Sequence, residues 1–203
     1  MKNLAIVFLT VFFAGTISAQ NFGLTANIKA LNLNNTSTDE VGDIDYDIES
    51  AFSLNFRLFN DNLWALRAGI GVENVEYTVS GGENFLSYLG SRNDYVFVIG
   101  LEKHFKLSES FMIYPGIVVP IAKGGKEEYS STIDELEQGG WRTAVGIVAG
   151  ANIKFLKVLH IGAETGVSFD SFNKEVVQSL GEIKEIRWSN LNWKTEFTIG
   201  LYF

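Results

Sequence analysis

No cysteine occurs in this chain, and only 2 prolines are spread over its 203 residues. The first absence excludes disulfides and a lipidated N-terminal cysteine. The scarcity of proline leaves long stretches free to join a hydrogen-bonded ladder, because proline cannot donate to one. Positive charge is also short: 16 Lys and Arg stand against 24 Asp and Glu, a net charge of −8. That balance argues against nucleic acid and against acidic membrane surfaces as partners. Past Ala19 no stretch free of charge reaches the roughly 20 apolar residues that a helical membrane span needs. What the chain does have is 16 Phe and 20 Gly, with many Asn and Thr. This composition points to an all-β protein of one domain, or at most two small ones.

The first residues, "MKNLAIVFLTVFFAGTISAQ", place Lys2 before an apolar run from Leu4 to about Ala14, then small residues to Ser18 and Ala19. This is the layout of a secretory signal peptide. It predicts cleavage after Ala19, with residues 1–19 as the signal and 20–203 as the folded domain. An uncleaved anchor helix is disfavoured because the run falls short of roughly 20 apolar residues.

Beyond it the sequence alternates with a period of two. Phe22, Leu24, Ala26, Ile28 and Ala30 oppose Thr25, Asn27 and Lys29, and Phe52, Leu54, Phe56 and Leu58 oppose Ser53, Asn55 and Arg57. The same pattern runs from Trp64 to Glu73, Tyr95 to His104, Arg142 to Phe155, Leu159 to Phe169 and Asn192 to Phe203. Strict alternation is the strand signal, and helical spacing fits none of these segments. "FMIYPGIVVPIAK" (111–123) is apolar on both faces and carries Pro115 and Pro120. Its spacing still predicts a strand, bulged near one proline, which makes eight.

The connections alternate in length. Long polar stretches ("NLNNTSTDEVGD", "SGGENFLSYLGSRN", "GGKEEYSSTIDELEQGG" and "DSFNKEVVQSLGEIKE") follow the odd strands, and the short "NDN", "KLSES" and "LK" follow the even ones. An eight-stranded antiparallel up-and-down barrel has this form, with long loops at one rim and tight turns at the other. Aromatics gather at both rims: Phe22, Phe59, Trp64, Phe105, Phe111, Phe155 and Phe203 near the turns, Tyr77, Tyr95, Trp141 and Trp188 near the loops. Two such girdles are what membrane interfaces select.

A signal segment, eight alternating strands and the closing "TEFTIGLYF" together resemble the small outer-membrane β-barrels of the OmpA/OmpX, porin-family type. The resemblance implies a monomer in the outer membrane of a Gram-negative envelope, in contact with lipid and lipopolysaccharide. It also implies that Ile199, Leu201 and Phe203 form the signal read by the barrel-insertion machinery.

Eight strands enclose an interior that side chains fill. Parity then sends Lys29, Arg57, Arg67, Glu73, Glu102, Lys154, Glu164, Lys194 and Glu196 inward. Buried charges must pair or hydrogen-bond, so a structural ion-pair network is expected there. Catalysis is not: His104 and His160 lie near the turn rim with no partnered nucleophile, and no G-x-S-x-G motif is present. Asp43, Asp45 and Asp47 share one face with the parity of the lumen and are weak candidates for a hard cation. Ile48 and Leu54 break the calcium-loop pattern there, so no metal and no cofactor is expected. "KEEYSSTIDELEQ" suggests a short helix outside the barrel. The expected function is non-enzymatic, in envelope structure or surface-loop contacts. The alternatives are a secreted soluble barrel with an apolar pocket and a lipid-modifying enzyme.

Overall fold

The computed structural model describes the backbone of residues 22–34, 37–39, 42–81, 88–129, 140–177 and 183–203. Within these it describes the side chains of 22–30, 47–76, 78, 90–125, 140–172 and 189–203. The signal segment expected at 1–19 lies outside these residues, as does most of the expected helix.

Among the described residues eight long strands carry the alternation. They are β1 (Phe22–Asn34), β2 (Gly42–Phe59), β3 (Trp64–Gly81), β4 (Tyr88–Lys103), β5 (Phe111–Tyr129), β6 (Trp141–Lys154), β7 (Leu159–Val177) and β8 (Ile183–Tyr202). Two short segments pair beside them, Ser37–Asp39 on β2 and Phe105–Lys106 on β5. Each long strand is antiparallel to its chain neighbours, and β1 pairs with both β2 and β8, so the sheet closes into a barrel. At the closure Gly23 lies opposite Tyr202, the Phe203 N–H donates to the Phe22 carbonyl at 2.9 Å, and the two phenylalanine rings stack at 4.8 Å.

Strands of 13 to 20 residues exceed the ten or so expected. A tilted strand crosses the hydrocarbon layer in about 9–11 residues, so the hairpins continue beyond it. Pairing persists to Gly81 and Val177, inside stretches whose polarity reads as loop. Both faces of a hairpin are wet there, so apolar alternation stops while the backbone ladder continues.

The faces sort as lipid demands. Ile70 (64% exposed), Phe97, Ile147 and Phe197 stand outside, whereas Asn55, Arg57 and Glu102 are fully buried. The soluble-carrier alternative needs the opposite orientation and is corrected by this finding. One girdle member is also corrected: Phe59 is buried and packs edge-on to His104 at 4.8 Å, inside the barrel. The sixth-to-seventh strand connection is Phe155–Val158 rather than "LK", closed by the Phe155 N–H donating to the Leu159 carbonyl at 2.8 Å.

The proline strand β5 forms without a register shift against β6 and without a cis bond. Pairing to β6 skips Val119 and Pro120, then resumes at Ile121, while pairing to β4 continues through both. The missing N–H thus opens the ladder on one side only. Register shifts do occur at Lys29/Leu31, Ile48/Ser50 and Arg92/Asp94. A bulge inserts one residue and exchanges the two faces beyond it.

The inside-out assignment has a direct test. Ile147→Arg places a charge on the outer wall midway along β6, and is expected to cost about 2–4 kcal/mol of folding free energy. Urea titration in phospholipid vesicles measures it, and a variant as stable as wild type would contradict a lipid-facing wall.

Candidate functional site

The lumen is the place where chemistry-bearing side chains converge. Alternation points Arg57 of β2, Arg67 of β3, Glu102 of β4 and Glu164 of β7 inward at similar height, and all four are buried. Arg57 Nε donates to Glu102 Oε2 at 2.7 Å, and its Nη2 reaches Glu102 Oε1 at 3.1 Å and Glu164 Oε2 at 3.3 Å. Arg67 Nη1 donates to Glu164 at 2.7 and 2.9 Å and meets Glu102 Oε1 at 3.3 Å. Two guanidiniums thus neutralise two carboxylates, each carboxylate shared by both. Neutral groups complete the cluster. Arg57 donates to the Thr25 hydroxyl, Arg67 Nε to Asn55 Oδ1 at 2.8 Å, and Tyr114 OH to Glu164 Oε2 at 2.9 Å. Such charge-assisted bonds are the strong ones, and a fully satisfied network rigidifies its surroundings.

Below it, towards the turn rim, the lumen is floored by rings. Tyr114 stacks on His104 at 4.6 Å, His104 contacts Phe59, and Tyr202 lies 5.8 Å from Phe59 and 4.5 Å from His160. Tyr114 fits because Gly150 faces it: a Cβ there would lie 2.1 Å from the ring. His104 Nε2 lies 2.9 Å from Glu102 Oε2.

Above it sits a second charged group. Arg142 donates to Glu73 and lies 3.4 Å from Asp170 Oδ2, while Lys194 Nζ meets Glu73 at 3.1 Å and Glu196 at 2.6 Å. Asn27 donates to Glu196 at 2.8 Å, and Ser168 to Asp170 at 2.6 Å. These charges face an apolar wall of Val96, Val98, Val118 and Ala122 across a cavity of about 90 Å³. Asn192 Oδ1, on the charged side, has no protein partner. A cavity of this size has room for the few waters that such an acceptor needs.

Of the nine residues sent inward by parity, the structure brings together Arg57, Arg67, Glu73, Glu102, Glu164, Lys194 and Glu196. Lys154 is a correction: it is exposed, because β6 ends there and alternation ends with it. Lys29 pairs instead with Asp47 at 3.8 Å. Asp47 is a second correction. Its side chain is 62% exposed while Ile48 is buried, because the register shift at Ile48/Ser50 exchanges the faces. The side chains of Asp43 and Asp45 lie outside the described set. Asp47 shares the loop rim with Glu49 and Glu76, and the Glu49 carboxylate holds the Glu76 carboxyl above its usual value. Among the described residues no three His, Asp or Glu stand close enough to hold a metal ion. Ile199, Leu201 and Phe203 all face outward. The sequence reading did not include Tyr114, hidden in a strand apolar on both faces. Nor did it join Arg142 and Asp170 to the network, although Arg142 carries the inward parity.

A family model described as an outer membrane protein beta-barrel domain matches residues 18–177. No curated protein matches the chain. The outer membrane protein OprG from Pseudomonas aeruginosa is similar in structure, with a TM-score of 0.56 and 13% identity over 90% of this chain and 95% of that one. So is the outer membrane protein AlkL, solved in lipid bilayers, with a TM-score of 0.53 and 11% identity over 91% of this chain and 90% of that one. Neisserial surface protein A gives a TM-score of 0.52 and 10% identity over 90% and 97%. At such identities the likeness is one of fold.

Removing one member of the lower cluster leaves a buried charge uncompensated. Arg57→Met and Glu102→Gln are each expected to lose about 3–5 kcal/mol. The double variant should lose clearly less than the sum, because the residues act on each other. Urea unfolding of the four proteins in vesicles reads the coupling, and strict additivity would separate the two side chains energetically.

Proposed function

The chain belongs to the outer membrane protein beta-barrel domain family and is an outer-membrane β-barrel protein, and from that premise we propose a non-enzymatic, non-conducting role in the cell envelope. The observation that carries this reading is the filled lumen, with ring floor and four-charge cluster buried one above the other. Eight strands enclose only a side-chain-sized interior. The ion pairs then hold the barrel in register, and the surfaces left for function are the wall and the long hairpins. Those hairpins reach past the hydrocarbon layer, where lipopolysaccharide and other surface partners are met. The protein works as a monomer, and the barrel-insertion machinery reads Ile199, Leu201 and Phe203 on the outer face of β8.

Hydrolysis needs a nucleophile activated by a neighbouring base. His104 contacts Glu102, Phe59 and Tyr114, and His160 contacts Tyr202. Among the described residues these contacts include no serine or threonine hydroxyl, which supports the non-enzymatic reading.

Two measurements test it. Planar bilayers with the purified protein are expected to show no stepwise conductance, and steady channel openings would overturn the plugged lumen. Lipid from a deletion strain is expected to match the parent in composition. A lost or gained acyl modification would instead favour a lipid-modifying enzyme.

A further inference from the structure

The lipid-facing wall is not uniform. The register places Leu101, Ile117, Ile147, Val167 and Trp193 in one row across β4 to β8. Two positions along the strands is a row of smaller residues on the same face, in which Pro115, Ala149, Thr165 and Thr195 lie opposite one another. Small side chains beside a bulky ridge leave a trough of about 670 Å³, with Trp64 and Lys103 at one end and Trp193 at the other. From β4 to β8 it crosses four inter-strand gaps, or about 19 Å at ~4.8 Å each, the reach of a long acyl chain. Because barrel strands tilt by roughly 35–45°, the row climbs obliquely from the turn rim into the hydrocarbon layer.

The chemistry of the trough selects its occupant. Its polar atoms satisfy one another: Trp193 Nε1 donates to Thr165 Oγ1 at 2.9 Å, and Thr165 Oγ1 lies 3.3 Å from the Lys194 carbonyl and 3.0 Å from Thr195 Oγ1. The interior therefore offers an apolar chain nothing polar to desolvate. The charge at the rim end is the Lys103 ammonium, 5.4 Å from the Trp64 ring centroid and 5.8 Å from that of Phe105. One of its donors goes to the Asn62 carbonyl. Asp61, in the same turn, forms no ion pair with it among the described residues, so its remaining donors face the headgroup level.

We propose that this trough is a specific site for one anionic phospholipid of the leaflet at the turn rim, its phosphate on Lys103 and one acyl chain along Pro115, Ala149 and Thr165. An annular lipid covers any barrel wall. This site differs in combining a chain-length depression with a cation held at its mouth.

Native mass spectrometry of the folded, detergent-solubilised protein tests it, with phosphatidylglycerol and phosphatidylcholine titrated separately. Wild type is expected to retain one phosphatidylglycerol in preference to phosphatidylcholine. Lys103→Gln should weaken phosphatidylglycerol about fivefold, the size expected of one lysine near an anionic surface, and leave phosphatidylcholine unchanged. Ala149→Phe, which fills the trough, should abolish retention of both. Lys123→Gln, at the opposite rim beside Trp141, should change nothing. A heat-dependent gel shift confirms that each variant is folded, and Lys103→Gln alone decides the matter if Ala149→Phe fails to fold. Equal retention of the two lipids by wild type, or by wild type and Lys103→Gln, would overturn the site. So would an equal loss with Lys123→Gln, which would trace the effect to net charge.

Discussion

In register, Arg57 lies directly opposite Arg67, Glu164 opposite Glu196, and Glu73 opposite Asp94. Like charges facing each other on adjacent strands are destabilising, so the β2–β3, β3–β4 and β7–β8 pairs each carry a clash that they cannot relieve across their own ladder. Relief comes from strands that are not neighbours. Arg67 of β3 meets Glu164 of β7 on the far side of the barrel, Arg57 of β2 meets Glu102 of β4, and Glu73 of β3 meets Arg142 of β6 and Lys194 of β8. The contacts of β3 with β6, β7 and β8 cross the lumen, so they form only once the sheet has curled into a barrel. The charge pattern therefore rewards the complete barrel and penalises its fragments.

Closure is demanded from the other side as well. In lipid every backbone N–H and C=O needs an internal partner, which an open sheet edge cannot provide. The ladder on the outside and the ion pairs on the inside thus impose one requirement by different physics. A hydrophobic core of the usual kind has little part in it. Among the described residues, apolar burial in the lumen falls in separate patches: the ring floor, the wall around Val98 and Val118, and Ile48, Val75 and Phe172 toward the loop rim. The interior is specified by complementary charge, and a buried cluster of this kind fixes register well because any slip strands a charge.

Much of this is legible in the sequence, because a period of two survives wherever one face meets lipid. Thr25 and Asn27, Arg57, Arg67 and Glu102 all point where alternation sends them. The reading fails where the period itself is interrupted. The register shift at Ile48/Ser50 exchanges faces, so Ile48 is buried and Asp47 is not. Lys154 has the right parity one residue after it ceases to matter. Tyr114 was hidden because valine and isoleucine on both faces of β5 erase the contrast that alternation depends on. Partner choice was out of reach for another reason. Arg67 and Glu164 are 97 positions apart and four strands apart, and which inward charge meets which is set by register and tilt, neither of which a single strand encodes.

The two faces of the wall are not energetically separate. Lys194 accepts the Thr165 hydroxyl at its backbone carbonyl, on the outer face, and holds Glu73 and Glu196 with its ammonium in the lumen. Thr165 in turn receives the Trp193 indole. A lipid chain lying against Thr165 and Trp193 thus touches the residues that position one end of the upper charge group. The Thr165 hydroxyl is thereby connected through the Lys194 backbone to the ammonium that bridges two carboxylates. In a barrel whose lumen is lined by paired charges, this links the outer wall to the interior: a chain in the proposed trough would touch the same β7–β8 segment that the trans-lumenal ion pairs engage.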